Sequence, residues 1–304
     1  MYKIYYTRKE HGLWAIHDLF NELSLYLNEN YNSEIITQFG GHVYVKEFDY
    51  HIGDCEIILY DEINDMLKVV SYSETKTSVI DIIKKRNNKN DTIVVLHQSN
   101  WGGHLLGLEN FNFTLKQTTF YPFSPKVNYE YFYHIRKLKK QENLIDKIFF
   151  KTTTGRGDEQ KLIESGLINL PFNPIPFEEY LEMSINYKIG LSISGSGYEL
   201  CHRDFDCMSV GLPLMRLELI GKYEPELIPN YHYISINRDE LGNDVFMDLK
   251  GGDKYIELYK KRFMEVKDDY KFLNFISKNA FDYFKENSSP ENRLRKLLNI
   301  LNIK

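Results

Sequence analysis

Gly195–Arg216 reads GSGYELCHRDFDCMSVGLPLMR, and it follows the apolar run YKIGLSI at Tyr187–Ile193. The apolar run predicts a buried strand. Glycines and a serine then open a turn, and a helix-compatible segment rich in ionisable groups follows. Gly211-Leu212-Pro213 closes that segment before a second apolar strand. Strand, Gly-rich turn, helix and strand make a βαβ unit, whose turn faces the ligand crevice at the strand's carboxyl end. The helix start there offers unbonded N–H groups to an anion.

Working outward, the second half continues as α/β. Lys147–Lys151 (KIFFK) and Tyr231–Ile236 read as strands, and 158–165 and 177–184 as helices. From Asp253 the pattern is helical to the end, broken at Ser288-Ser289-Pro290. Leu294, Leu297, Leu298 and Leu301 then form an apolar stripe on a last helix. In the first half, Lys3–Thr7, Cys55–Tyr60, Val69–Ser73, Thr92–His97 and Phe111–Thr119 read as strands of a mostly parallel sheet. Leu13–Leu27 carries a helical apolar period. The charged stretch Tyr129–Asp146 is the candidate linker. The predicted architecture is two α/β domains, 1–140 and 141–285, followed by a last helix over 286–304 whose leucine stripe is expected to be buried and to touch the first domain.

Composition narrows the function. A net charge of −5 argues against binding a nucleic-acid backbone without specificity. No apolar run is long enough to span a membrane, and the start MYKIYYTRKE lacks the pattern of a signal peptide. Cys55, Cys201 and Cys207 have no metal-ligand spacing and read as reduced thiols of a cytoplasmic protein.

The charged residues of the opening stretch suit a diphosphate and a sugar. Arg203 could pair with a phosphate, and His202 could donate to a phosphate or a sugar. Glu199 could accept from ribose or sugar hydroxyls. The plainer alternative is a solvated first helical turn, in which carboxylates are favoured. It accounts for Glu199, Asp204 and Asp206 but leaves Arg203 in an unfavourable place, with Asp206 as its possible partner. Gly195, Gly197 and Tyr198 belong to the turn itself. Lys151 ends a strand, and Arg156 stands between Gly155 and Gly157 in the loop TTTGRGD, an arrangement that lets cations approach an anion. The rival reading is an ordinary basic loop. In the first half, Glu10 and His11 follow the first strand and are candidate acceptor bases. His17 and Asp61 are weaker ones, and His97 and Trp101 are candidate acceptor contacts.

The stretches IFFKTTTGRGDEQKL and YKIGLSISGSGYELCHRDFDCMSVGLPLMR resemble the donor-domain segments of exostosin-like and related glycosyltransferases, over about Phe149–Ser235. The resemblance implies the GT-B fold, in which two Rossmann-like domains face each other across a cleft and the last helix, here 286–304, crosses back to the first domain. It also implies transfer of a sugar from a nucleoside diphosphate donor to a glycan or similar hydroxyl acceptor. The donor contacts it implies are Lys151, Arg156, Gly195, Gly197, Tyr198, Glu199, His202, Arg203 and Asp206. Arg203 would also act on the leaving group. No metal or other cofactor is expected, since Asp204-Phe205-Asp206 lies on a predicted helix, where residues two apart diverge. The alternatives are a non-catalytic sugar- or nucleotide-binding protein and a DNA-base glucosyltransferase.

Overall fold

The computed structural model describes residues 1–8, 14–39, 44–51, 56–71, 82, 84–95, 114–117, 130–139, 143–151, 157–169, 173–193, 200–219, 223–241 and 252–304. The chain divides into two compact units. The first comprises Met1–Ser124, Gly221–Pro225 and Pro290–Lys304; the second comprises Pro125–Ile220 and Glu226–Ser289. The fold class is the expected one: α/β, with a separate parallel-rich sheet in each unit.

In the first unit, β1 (Tyr2–Arg8) leads to α1 (Trp14–Asn30) and β2 (Ser33–Phe39). A short hairpin of β3 (Tyr44–Val45) and β4 (Tyr50–His51) follows, then β5 (Glu56–Asp61), β6 (Met66–Ser71), β7 (Thr92–Val95) and β8 (Thr114–Gln117). The six-stranded sheet has the order β2-β1-β5-β6-β7-β8. It is parallel at both ends, but β5 runs antiparallel to β1 and to β6. The turn at residues 62–65 enforces this reversal, with Asp65 at a φ of 47°. Asp61 holds that turn: its carboxylate accepts from the backbone N–H groups of Ile63 (3.2 Å) and Asn64 (3.3 Å), and from the Asn64 side chain (2.8 Å). Its candidacy as an acceptor base is thereby replaced by a structural role.

The second unit opens on α2 (Glu130–Leu138), which occupies the expected linker. Phe132 and Ile135 are fully buried on one face of this helix, so it is part of the unit's core despite its charge. Next come β9 (Ile145–Phe149), α3 (Gly157–Glu164), α4 (Phe177–Ser184), β10 (Tyr187–Leu191), α5 (His202–Val210), β11 (Leu214–Leu217) and β12 (Ile234–Ile236). Helices α6 (Gly252–Val266) and α7 (Tyr270–Tyr283) complete the unit. The sheet order is β12-β11-β10-β9, all parallel. Every residue of β10, β11 and β12 is buried, which explains their near-continuous apolar sequence. A Cβ at Gly190 would come within 2.8 Å of Cys207 Sγ and 2.9 Å of Leu212 Cδ2, so this glycine lets α5 lie close on β10. Gly211 ends α5 in the left-handed region (φ 66°).

The last helix, α8 (Pro290–Ile300), belongs to the first unit. Leu297, Leu298 and Leu301 are buried in one core with Ile4, Leu19, Leu23 and Leu27, while Leu294 packs at its edge, half-buried. Arg293 is 1% exposed and grips Glu22 of α1 at 2.6 and 3.2 Å. Leu297→Ala should lower stability by about 2–5 kcal/mol through the cavity it leaves. Leu25→Ala, on the exposed side of α1 (62% exposed), should stay within about 0.5 kcal/mol. Urea unfolding followed by circular dichroism reads both; a silent Leu297→Ala would mean that α8 contributes little to this core.

Candidate functional site

The site is built at the carboxyl ends of β9 and β10 and at the start of α5. Cys201 caps α5 with extended backbone (φ −132°, ψ 174°), and its N–H donates to Asp204 Oδ2 at 2.6 Å. The same carboxylate accepts from Ser192 Oγ at 2.9 Å, just beyond β10, and forms an ion pair with Arg216 of β11. Asp204 is completely buried and Arg216 is 1% exposed. Asp204 is therefore an internal anchor that fixes strand end, turn and helix start together. It does not stand with the groups that line the pocket.

Those groups are His202, Arg203 and Asp206. With Lys151 from the end of β9 and Asn173, Ile175, Phe177, Tyr180 and Cys201, they line a cavity of about 330 Å³. This is at the small end of ligand-pocket sizes. The Arg203 guanidinium lies 4.6 Å from the centre of the Phe150 ring, and its Nε is 3.4 Å from the Lys151 carbonyl. These contacts hold a cation at a helix start, where the macrodipole disfavours it. Lys151 is 6% exposed and donates to Asn173 Oδ1. Burial holds its amine below the usual lysine range, and the charge of Glu179 on α4 opposes that shift. An anion in the cavity would stabilise both cations.

Burial, reinforced by the charge of Arg203, pushes the His202 imidazole down to about 4. The ring is therefore neutral near pH 7 and can donate a hydrogen bond without competing for the anion's charge. Burial pushes the Cys201 thiol up to about 11, with Asp204 adding to the shift, so it is no nucleophile at neutral pH. The Tyr180 hydroxyl is buried without a hydrogen-bond partner among the described residues.

The His202 shift has a consequence for stability. The folded imidazole titrates near 4 and the unfolded one near 6.5, so unfolding takes up a proton between these values. Stability should fall as pH drops from 6.5 towards 4, with no such effect above 6.5. Burial pushes His232 down to about 4 as well, and it adds to the same window. His202→Gln should flatten this part of the profile, and the double variant with His232→Gln should flatten it further. Urea midpoints near pH 7 and about pH 4.5 check this. A His202→Gln profile as steep as wild type would show that the ring is solvated.

Of the sequence candidates, Lys151, His202, Arg203 and Asp206 share this cavity. Glu10, His11, His97, Trp101, Arg156, Gly195, Gly197, Tyr198 and Glu199 lie outside the described residues. Phe177, Tyr180 and Asn173 were not anticipated; the only hint was the pair of rings three apart on the predicted helix 177–184. Among the described residues, no three His, Cys, Asp or Glu side chains gather as a metal site. Likewise, no helix is long and apolar enough to cross a membrane.

Fold and pocket define an α/β protein of two Rossmann-like units, with buried Lys151 and half-buried Arg203 at the carboxyl edge of the second sheet. No protein-family model and no curated protein matches the chain. Among solved structures, it is similar to a glycosyltransferase from Rickettsia africae ESF-5, with a TM-score of 0.53 and 13% identity over 99% of this chain and 98% of that one. At this identity the likeness is one of fold. An alpha-glucosyltransferase in complex with UDP-glucose and DNA containing an abasic site aligns with a TM-score of 0.42 and 12% identity, over 99% of this chain and 100% of that one.

Proposed function

We propose that this chain is a metal-independent GT-B glycosyltransferase. It moves a sugar from a nucleoside diphosphate donor to a hydroxyl acceptor, a glycan or similar glycoconjugate, in the cytoplasm. The observation that carries the reading is that Lys151, from the end of β9, and Arg203, at the start of α5, line one cavity in the place where a parallel sheet receives its ligand. A fold shared with a glycosyltransferase supports it. So does the resemblance of Phe149–Ser235 to exostosin-like donor domains.

Sugar transfer passes through an oxocarbenium-like state while negative charge grows on the departing diphosphate. Arg203 and Lys151 meet that charge, and Arg156 joins them from its glycine-flanked loop. Their attraction strengthens as the glycosidic bond breaks, which is the condition for catalysis rather than mere binding. Neutral His202 donates to a phosphate or sugar oxygen. Gly195, Gly197 and Tyr198 bring backbone N–H groups close to the donor, Glu199 accepts from its hydroxyls, and Asp206 orients Arg203. Glu10 or His11 takes the acceptor proton, and His97 and Trp101 hold the acceptor. Asp204 is committed to Arg216, so the Asp204-Phe205-Asp206 sequence does not offer two carboxylates to a metal.

Release of nucleoside diphosphate from a panel of nucleotide-sugars tests this, with glycan acceptors in one arm and duplex DNA in another. The proposal expects release from at least one donor, accelerated by a glycan and unaffected by chelator. Acceleration by DNA alone would move the chain to base glucosylation. Tight sugar binding without any release would make it a binding protein.

A further inference from the structure

A second cavity in the second unit, of about 1150 Å³, lies at the opposite end of α5 and, among the described residues, shares no lining residue with the first. Among the described residues, four cationic side chains, Arg136, Lys139, Lys188 and Lys278, and one carboxylate, Asp282, line it. Two of the cations are neutralised. Lys188 pairs with Asp146 and Asp268, each at 3.0 Å, and Lys278 pairs with Asp282 at 2.9 Å. Arg136 and Lys139 have no carboxylate within ion-pair distance among the described residues. Arg136 lies 3.9 Å over the Phe281 ring, with its guanidinium against the backbone of Gly211, where a Cβ would collide with it. Lys139 sits beside it, 3.3 Å from the Gly211 carbonyl.

The helix end does not account for both cations. The carboxyl end of a helix carries about half a negative charge. Its Gly211 carbonyl accepts from both Ser277 Oγ at 2.6 Å and Lys139 Nζ at 3.3 Å, and a partial charge shared in this way does not balance two full positive charges. The protein thus holds two half-buried like charges side by side. Burial, with the charge of Arg136, pushes the Lys139 amine down to about 8. Burial also lowers Arg136, and the charge of Asp282 only partly offsets this. Such an arrangement is costly unless an anion relieves it.

We propose that this cavity binds a phosphate group, gripped by the planar fork of Arg136 and the point charge of Lys139. Two adjacent cations match a dianion, and a guanidinium beside an ammonium is a common way to hold phosphate oxygens. The volume exceeds what a bare ion fills, and the exposed Tyr270 on its lining leaves an apolar surface for an organic remainder. The bound class is a small phosphorylated ligand or free phosphate, which share this chemistry. The site stands whether or not the first cavity holds a nucleotide.

Competitive acylation of the native full-length chain tests it. A trace of acetic anhydride is applied at constant ionic strength in chloride, inorganic phosphate or glycerol 3-phosphate, and each lysine is read by mass spectrometry. Lys139 should react slowly when phosphate is present, by about threefold at twice the dissociation constant. Exposed Lys254 should be unchanged. Stronger protection by glycerol 3-phosphate would assign the organic ester, and equal protection the free ion. In Arg136→Gln the protection should vanish. The proposal is overturned if Lys139 reacts equally in chloride and phosphate, or if phosphate protects only Lys151 of the first cavity. It is also overturned if the protection survives in a folded Arg136→Gln chain. The wild-type comparison decides even if that variant does not fold.

Discussion

Arg203→Ala should lower the rate of diphosphate release at saturating donor by about 30- to 1,000-fold, a loss of ~2–4 kcal/mol of transition-state stabilisation. Arg203 is placed for charge, not for fold. It lines the cavity, half-buried, over the Phe150 ring and near the Lys151 carbonyl and Cys201 Sγ. Its removal takes a cation from the diphosphate just as that group gains charge, so turnover should fall together with donor affinity. Lys at this position should restore only part of the rate, since an ammonium cannot make two parallel bonds to one phosphate. Steady-state kinetics of wild type and variants read the effect. A variant with unchanged rate and unchanged affinity would mean that the donor lies elsewhere.

Asp204→Ala should be the opposite kind of change, costing about 3–5 kcal/mol of stability. It leaves Arg216, 1% exposed, charged and without its carboxylate, and it removes the acceptor of Cys201 N–H and Ser192 Oγ. Replacing both partners with apolar residues, as in Asp204→Leu with Arg216→Met, should recover much of that loss. Chemical denaturation measures the cycle. Equal destabilisation by the single and the double variant would show that the cost lies in the capping hydrogen bonds and not in the ion pair. The two carboxylates Asp204 and Asp206 stand two residues apart and do different things for a geometric reason. On a helix such neighbours point in different directions, and here one faces the core and the other the cavity.

The βαβ unit around α5 was legible because every signal in it is local. An apolar run, glycines at the turn and Gly211 at the helix end are each read without knowing the rest of the chain. The leucine repeat of α8 was legible for the same reason, and its burial against α1 followed from its apolarity. What escaped depends on partners far along the chain. β2 is an edge strand with Ile35 37% exposed, so its sequence does not alternate cleanly. The direction of β5 is set by the short turn that Asp61 holds, and a strand's own residues do not encode its neighbour's direction. α2 reads as a linker because its charges outnumber its two core residues. The inward turn of Asp204 is dictated by Arg216, a residue on the next strand. Phe177 and Tyr180 look like ordinary core rings until α4 places them beside Lys151.

The most direct test is amide hydrogen exchange of the full-length chain, with and without a nucleoside diphosphate. Bound at the first cavity, the diphosphate should slow exchange at residues 202 and 203 in the first turn of α5, because a helix start directs its N–H groups at a bound anion, whereas the N–H groups of Cys201 and Asp204 are already used in the cap. Exchange in the core of α8 should be unchanged. Arg203→Ala should weaken the protection in step with affinity. Protection of residues 202 and 203 by a nucleoside diphosphate and not by the free sugar is the result predicted. Protection confined to other segments, or none at saturating ligand, would contradict the placement of the donor at Lys151 and Arg203.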